Sequence, residues 1–151
     1  MTLEEALKTT RFDNEAHKAA LNVLYSAWWL KTALSQALKE HGLTHEQYNV
    51  LRILKGKHPE QLCVRDITSR MIERSSNVPR IVDRLIIKKL VKRGTSAVDR
   101  RETVISLTPA GIRLLDQSGG RISGILDERI KLNDQDARKL NQLLEQLRRE
   151  D

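Results

Sequence analysis

The chain has 151 residues, of which 39% are hydrophobic and 31% charged, with seven glycines and three prolines, a composition that excludes a disordered chain and predicts one helix-rich domain, 1–151. A lone cysteine excludes an intrachain disulfide, and the opening MTLEEALKTTRF lacks the basic and apolar regions of a signal peptide, so a cytoplasmic protein with no membrane partner is expected. The formal charge is +7, and residues 65–101 hold the whole excess, with eleven Lys/Arg against four Asp/Glu; such a localised basic field is the footprint of a polyanion binder.

From Asn14 to Glu40 the chain has no glycine or proline. Ala16, Ala20, Val23, Ala27, Leu30, Leu34 and Ala37 alternate at four- and three-residue spacing, a heptad-like seam on one long helix. Asp13 or Asn14 suits its start and Gly42 its stop. A helix of about 27 residues spans roughly 40 Å, more than this domain needs for its own core, so part of it is expected against a second subunit. Tyr25, Trp28 and Trp29, three of only five aromatics, are candidates for an apolar ligand pocket; ordinary packing is the competing reading.

Thr44 with Gln47 three residues on predicts a capping box, opening a helix that ends before Pro59. After an extended piece at Gln61–Leu62, the segment VRDITSRMI predicts a helix with Val64, Ile67, Met71 and Ile72 inward. A turn through Glu73–Arg74 leads to Ser75. Beyond it Val78, Ile81, Val82, Leu85 and Ile86 recur at helical spacing, leaving Asn77, Arg80, Arg84 and Lys88 outward. Helix, tight turn and second helix with a polar ridge is the helix-turn-helix order. The ridge offers donors for base edges and charge for phosphates, although a solvated charged face has the same pattern.

After Leu90 the pattern alternates. Leu90–Arg93 and Thr103–Leu107 predict two antiparallel strands joined by a loop from Gly94 to Glu102, basic at Arg100 and Arg101 and placed to reach a minor groove. Thr108–Pro109 predicts a helix start. The helix that follows contains Gly119, Gly120 and Gly124, which suggest a kink or a close approach across an interface. Asn133 predicts the cap of a last helix, DQDARKLNQLLEQLRRE, with the stripe Ala137, Leu140, Leu143, Leu144 and Leu147. The predicted class is mainly α with a small β-hairpin wing and about six helices. Residues 44–107 form the winged region, and 13–41 with 109–150 form a dimerisation region. The histidines show no ligand spacing and no nucleophile–base arrangement is present, so no metal, cofactor or enzyme activity is expected.

The stretch SSNVPRIVDRLIIKKLVKRG, the DRR at Asp99–Arg101 and VISLTPAG from Val104 to Gly111 resemble the MarR family of bacterial transcriptional regulators over nearly the whole chain. The resemblance implies a winged helix-turn-helix homodimer on pseudo-palindromic double-stranded DNA, usually a repressor relieved by a small anionic or phenolic ligand or by oxidation. It places Ser76, Asn77, Arg80 and Arg84 on the recognition helix and Arg100 or Arg101 at the wing tip. With the adjoining basic and polar residues, the candidate DNA contacts are Arg65, Arg74, Ser75, Ser76, Asn77, Arg80, Arg84, Arg100 and Arg101. Pro79 departs from the family's Ser or Thr and removes a hydroxyl and a backbone donor. Cys63 stands at a helix N-cap near Arg65, where a thiol pKa can be lowered; an inert, half-buried cysteine is the competing reading. Two other classes share these features: a nonspecific architectural or RNA-binding winged helix, and a protein-interaction module whose basic hairpin meets an acidic partner.

Overall fold

Helices α1 (Leu3–Leu7), α2 (Glu15–Lys39) and α3 (His45–Lys57) lead into strand β1 (Leu62–Cys63). Then follow α4 (Val64–Thr68), α5 (Val78–Ile87), β2 (Val91–Thr95), β3 (Thr103–Leu107), α6 (Pro109–Arg129) and α7 (Asp134–Leu147). The computed structural model describes residues 1–149; Glu150 and Asp151, the ends of the predicted last helix and domain, lie outside the described residues. The class is the expected one, with α1 as an additional short helix. Its start is fixed by a capping box between Thr2 and Glu5, a three-residue spacing visible in the opening sequence.

The predicted caps hold. Asn14 Oδ1 accepts from the His17 N–H at 2.9 Å, and the box at Thr44 closes through Gln47 N–H to Thr44 Oγ1 (3.1 Å) and Thr44 N–H to Gln47 Oε1 (3.2 Å). The α2 seam changes character along its length. Ala16, Ala20 and Ala27 are exposed, Val23, Leu30 and Leu34 are partly covered, and Ala37 is buried; the buried residues of α2, Ala33, Ala37 and Leu38, all lie in its C-terminal part.

Helix α4 is shorter than VRDITSRMI suggests. Ser69 is its C-cap, with its N–H donating to the Arg65 carbonyl, and the Ile72 N–H leaves the helical ladder for Asn49 Oδ1 of α3 at 3.0 Å. Met71 remains buried, but Ile72 is turned outward and is 78% exposed, not inward as its spacing predicts. Helical spacing loses its meaning once the backbone has turned toward the next element.

The three strands form an antiparallel sheet in the order β1-β3-β2. Strand β2 runs two residues beyond the expected Arg93, pairing Gly94 with Val104 and Thr95 with Thr103, and the two-residue β1 pairs Leu62 with Ile105. Behind the sheet, α5 buries Val78, Val82 and Leu85 completely among Leu51, Leu54, Ile67 and Ile105. Each such side chain contributes about 1.5–3 kcal/mol on burial, so α5 is anchored by one continuous core.

Helix α6 starts at Thr108, whose Oγ1 accepts from the Gly111 N–H at 3.1 Å. It then continues as one helical segment through Gly119, Gly120 and Gly124, because glycine lowers helix propensity without removing a hydrogen bond, and Leu115, Ser118 and Ile122 are buried along it. A Cβ at any of the three glycines would meet nothing within 4 Å in the protomer. Helix α7 begins at the predicted Asn133 cap and buries none of its residues.

Candidate nucleic-acid interface

The buried stripe of α5 dictates the opposite face: Arg80 and Arg84 are both exposed, one turn apart. Asn77 is the N-cap, its Oδ1 accepting from the Arg80 N–H at 3.3 Å. Its carbonyl oxygen is therefore engaged and only the amide NH2 is free to donate outward. Pro79 falls at the second helical position, where the backbone N–H has no intrahelical acceptor; the substitution costs the helix no internal bond.

Ser76, Asn77, Arg80 and Arg84 line one open cleft of about 350 Å³, together with Thr44, Glu46, Gln47 and Ile81. The cleft joins the start of α3 to the outer ridge of α5. Ser75 is exposed beside it, whereas Ser76 Oγ is sheltered from solvent and has no hydrogen-bond partner in the structure. Arg65 is exposed on α4. Arg74 is exposed as well, but its guanidinium folds back to donate to the Ser69 carbonyl. Lys88 is exposed on the same ridge, as expected, and its ammonium donates to the Gly42 carbonyl and, at 3.0 Å, to Gln47 Oε1, tying the end of α5 to the start of α3.

The wing is tied to the same helix. Arg93 of β2 meets Asp83 of α5 at 2.7 Å. At the tip, Ser96 Oγ accepts from the Val98 and Asp99 N–H groups at 3.2 and 3.3 Å, and Asp99 Oδ1 accepts from the Arg101 N–H at 3.0 Å. This local bonding presents Arg100 and Arg101, both exposed. They stand apart from the cleft residues, on the far end of the hairpin.

A polar connection invisible to sequence spacing lies behind the cleft. Lys31 Nζ of α2 bridges Glu73 Oε2 at 2.9 Å and Glu46 Oε1 at 3.1 Å. The hydrogen bonds to Glu73 and then Glu46 raise the Lys31 pKa. For Glu46, burial works to raise the carboxyl, and its backbone hydrogen bond and Lys31 outweigh it, leaving a net lowering. The partners stand 42 and 15 residues apart, and only the fold brings them together.

Tyr25 and Trp28 stack obliquely at 5.4 Å between ring centroids, and with Trp29 they line a cleft of about 420 Å³ closed on one side by Met1, Thr2 and Leu3. The Arg129 guanidinium lies over the Trp29 ring at 5.4 Å. Cys63 is buried, with its thiol against Asp66 Oδ2 at 3.1 Å, and burial, reinforced by the Asp66 side chain, pushes the thiol pKa up. Of the two readings of Cys63, the buried, inert cysteine is the one these surroundings favour over an activated thiol. Among the described residues no group of three or more His, Cys, Asp or Glu could hold a metal ion, and no helix is long and apolar enough to cross a membrane.

A core-anchored second helix with a basic outer ridge, braced by a hairpin that carries two arginines near its tip, defines a winged helix-turn-helix, a DNA-binding fold. Residues 41–102 match the family model described as MarR family. The HTH-type transcriptional regulator MhqR of Bacillus subtilis (strain 168) is 31% identical over 101 residues, 66% of this chain and 67% of that protein. Among solved structures, Sco3205 of Streptomyces coelicolor, a MarR family regulator in complex with DNA, matches with TM-score 0.78 at 19% identity, covering 89% of this chain and 87% of that one. CouR of Rhodococcus jostii RHA1 bound to p-coumaroyl-CoA matches with TM-score 0.77 at 22% identity, covering 88% and 93%. The chain belongs to the MarR family of transcriptional regulators, which are not enzymes.

Proposed function

We propose that this regulator is a sequence-specific repressor that acts in the cytoplasm as a homodimer and leaves its operator when a small aromatic or anionic effector binds. The observation that carries this reading is the ridge of α5, where Arg80 and Arg84 face solvent from a helix that buries Val78, Val82 and Leu85 on its opposite face. In this reading residues 44–107 are the DNA-binding region. Arg80, Arg84 and the Asn77 amide address base edges, while Arg65, Arg74, Ser75 and Ser76 address phosphates, Arg74 and Ser76 after side-chain rotation. Arg100 and Arg101 enter the flanking minor groove.

Residues 13–41 and 109–150 pair two protomers. Support comes from apolar side chains that the protomer leaves in water: Leu24 and Trp28 on α2, and Leu140, Leu143 and Leu147 on α7. Pairing their faces removes apolar surface from water. Two recognition helices in successive major grooves, about 34 Å apart, then require a pseudo-palindromic operator of roughly 16–20 bp. The effector reading is supported by the cleft at Tyr25, Trp28 and Trp29 and by the aromatic ligand of CouR.

Selection of bound sites from random duplex DNA tests the proposal. The expected result is an inverted repeat bound far more tightly than random duplex. Equal affinity for random duplex, or preference for RNA, refutes sequence-specific repression in favour of an architectural or RNA-binding role; no binding at low salt points to a protein partner.

A further inference from the structure

Helix α4 tightens as it ends: the Arg70 and Met71 N–H groups donate to the Ile67 and Thr68 carbonyls at 3.0 and 3.3 Å, the short bonds that close a helix. The next donor leaves the helix altogether, the Ile72 N–H reaching Asn49 Oδ1 of α3 at 3.0 Å. From there to α5 little packing holds the chain. Met71 and Val78 are buried at the two ends of the turn, while Ile72, Glu73, Arg74, Ser75 and Asn77 between them are exposed. Further on, the backbone bonds close within the turn, Ser76 N–H to the Glu73 carbonyl and Val78 N–H to the Ser76 carbonyl, both at 3.1 Å. Lys31 reaches the same turn at the Glu73 side chain rather than at its backbone. Asn49 therefore fastens the turn's backbone to a packed element, since α3 buries Val50, Leu51 and Leu54. The same helix holds the far end of α5, where buried Gln47 accepts from Lys88, the C-cap, at 3.0 Å. Two polar side chains of α3, at positions 47 and 49, thus bracket residues 72–88.

We propose that Asn49 is a positioning residue for DNA recognition, fixing through the Ile72 N–H the path that places Ser75, Ser76 and Asn77 at the head of α5. The donor is a backbone N–H, so position 49 must supply a side-chain oxygen of this reach. Base-edge hydrogen bonds fail with small changes in distance and angle, whereas attraction to phosphates is carried by charge and tolerates them. Loss of the Asn49 bond therefore lowers discrimination between sequences and leaves the general attraction to duplex in place. The fold survives that loss, because Ile72 is 78% exposed and water takes up the freed N–H. The inference rests on the sequence-specific reading above and adds to it the residue that aims the reading helix.

The test compares the full chain as wild type, Asn49→Leu and Asn49→Asp. Affinities for the selected operator and for random duplex are measured, with hydrogen exchange of the Ile72 amide and urea denaturation beside them. Leucine keeps the branched shape without an acceptor, and aspartate keeps the oxygen. Asn49→Leu is expected to speed Ile72 exchange while its unfolding midpoint stays close to that of the wild type. Its operator-to-random affinity ratio falls roughly three- to tenfold, the scale of one hydrogen bond's net contribution, with random-duplex affinity unchanged. Asn49→Asp weakens both affinities through its added charge but keeps the ratio and the slow exchange. The positioning role is overturned if Asn49→Leu keeps the wild-type ratio, if operator and random duplex lose affinity alike, as a folding defect would produce, or if Asn49→Asp loses the ratio as leucine does. A wild type with no sequence preference overturns the repressor reading itself, and the positioning role falls with it, an outcome distinct from each of these.

Discussion

Gly111→Ala gives a test of the frame on which the DNA-binding surface depends. In an unconstrained helix the change stabilises by up to about 1 kcal/mol, because alanine loses less backbone entropy. At Gly111 the added Cβ would lie 2.2 Å from the Leu90 carbonyl oxygen, 3.1 Å from its carbon and 3.3 Å from Leu107 Cδ2. Relief requires a shift of about 1 Å toward an ordinary contact. The carbonyl is not free to yield, since it accepts from the Thr108 N–H at 3.1 Å, and the adjacent Lys89 carbonyl accepts from Thr108 Oγ1 at 2.7 Å. A 2.2 Å approach to a fixed backbone oxygen puts overpacking at the upper end of its range, about 3 kcal/mol, and strain in the Thr108 cap adds up to about 1 kcal/mol. Set against the propensity gain, a net loss of about 2–3 kcal/mol is expected, or about 4–12 °C in melting temperature for a chain of this length. Urea and thermal denaturation at one fixed protein concentration measure it, with Gly124→Ala as the matched control. The control helix position meets nothing within 4 Å and is expected to gain about 0.5–1 kcal/mol. A Gly111→Ala protein as stable as the wild type would refute the argument that α6 seats its first turn against the α5–β2 corner.

Arg80→Ala is expected to cost about 1–3 kcal/mol of operator binding and to change base preference at one position per half-site, measured by competition among single-substituted duplexes. Arg100→Ala should instead weaken all sequences alike and flatten the dependence of log affinity on log salt by about one charge. Leu143→Glu, placed on a residue 54% exposed in the protomer, should shift sedimentation from dimer to monomer. Cys63 should react with a thiol reagent only as the protein unfolds, and operator binding should survive peroxide unchanged in wild type and Cys63→Ser. Its raised pKa also has a sign: the neutral thiol favours the folded chain below the ordinary thiol range, and that contribution is lost as pH rises through the folded value. Cys63→Ser should therefore show a shallower loss of stability on the alkaline side.

What could be read from sequence was what local chemistry decides. Asn14, Thr44, Thr108 and Asn133 cap their helices because a side-chain oxygen three residues ahead of an orphan N–H is a local arrangement. The exposed arginines of α5 followed from the burial of Val78, Val82 and Leu85, and the second wing strand from the β-branched run Thr103–Ile105, in which Val104 and Ile105 are both buried. Contacts distant in sequence were not legible. Asn49 drawing the Ile72 N–H out of its helix ended α4 early, Gly42 and Gln47 captured Lys88, and Glu46 and Glu73 met Lys31. Cys63 lay between two readings that sequence left open, an activated thiol near Arg65 and an inert buried one, and enclosure in the sheet decided for the second.

These distant ties also constrain how DNA affinity can change. Helix α5 is held by its buried stripe, by Lys88 to the start of α3, by Asp83 to Arg93 of the wing, and by the Lys89–Leu90 corner to Thr108 of α6. A movement of the recognition helix alone would break a packed core and several polar contacts together, at a cost well above the few kcal/mol that separate regulatory states. Helix and wing therefore reposition as one body, or the charge around them changes while they stay fixed. The connection to α2 through Lys31 is different in kind: its side chains are partly exposed, with relative accessibilities of 44%, 31% and 50% for Lys31, Glu46 and Glu73. Such solvated pairs are worth about 0–1 kcal/mol each, so a ligand of modest affinity can exchange them. Helix α5 and the wing are thus held firmly to each other and to the core, and weakly fastened where they meet the long helix.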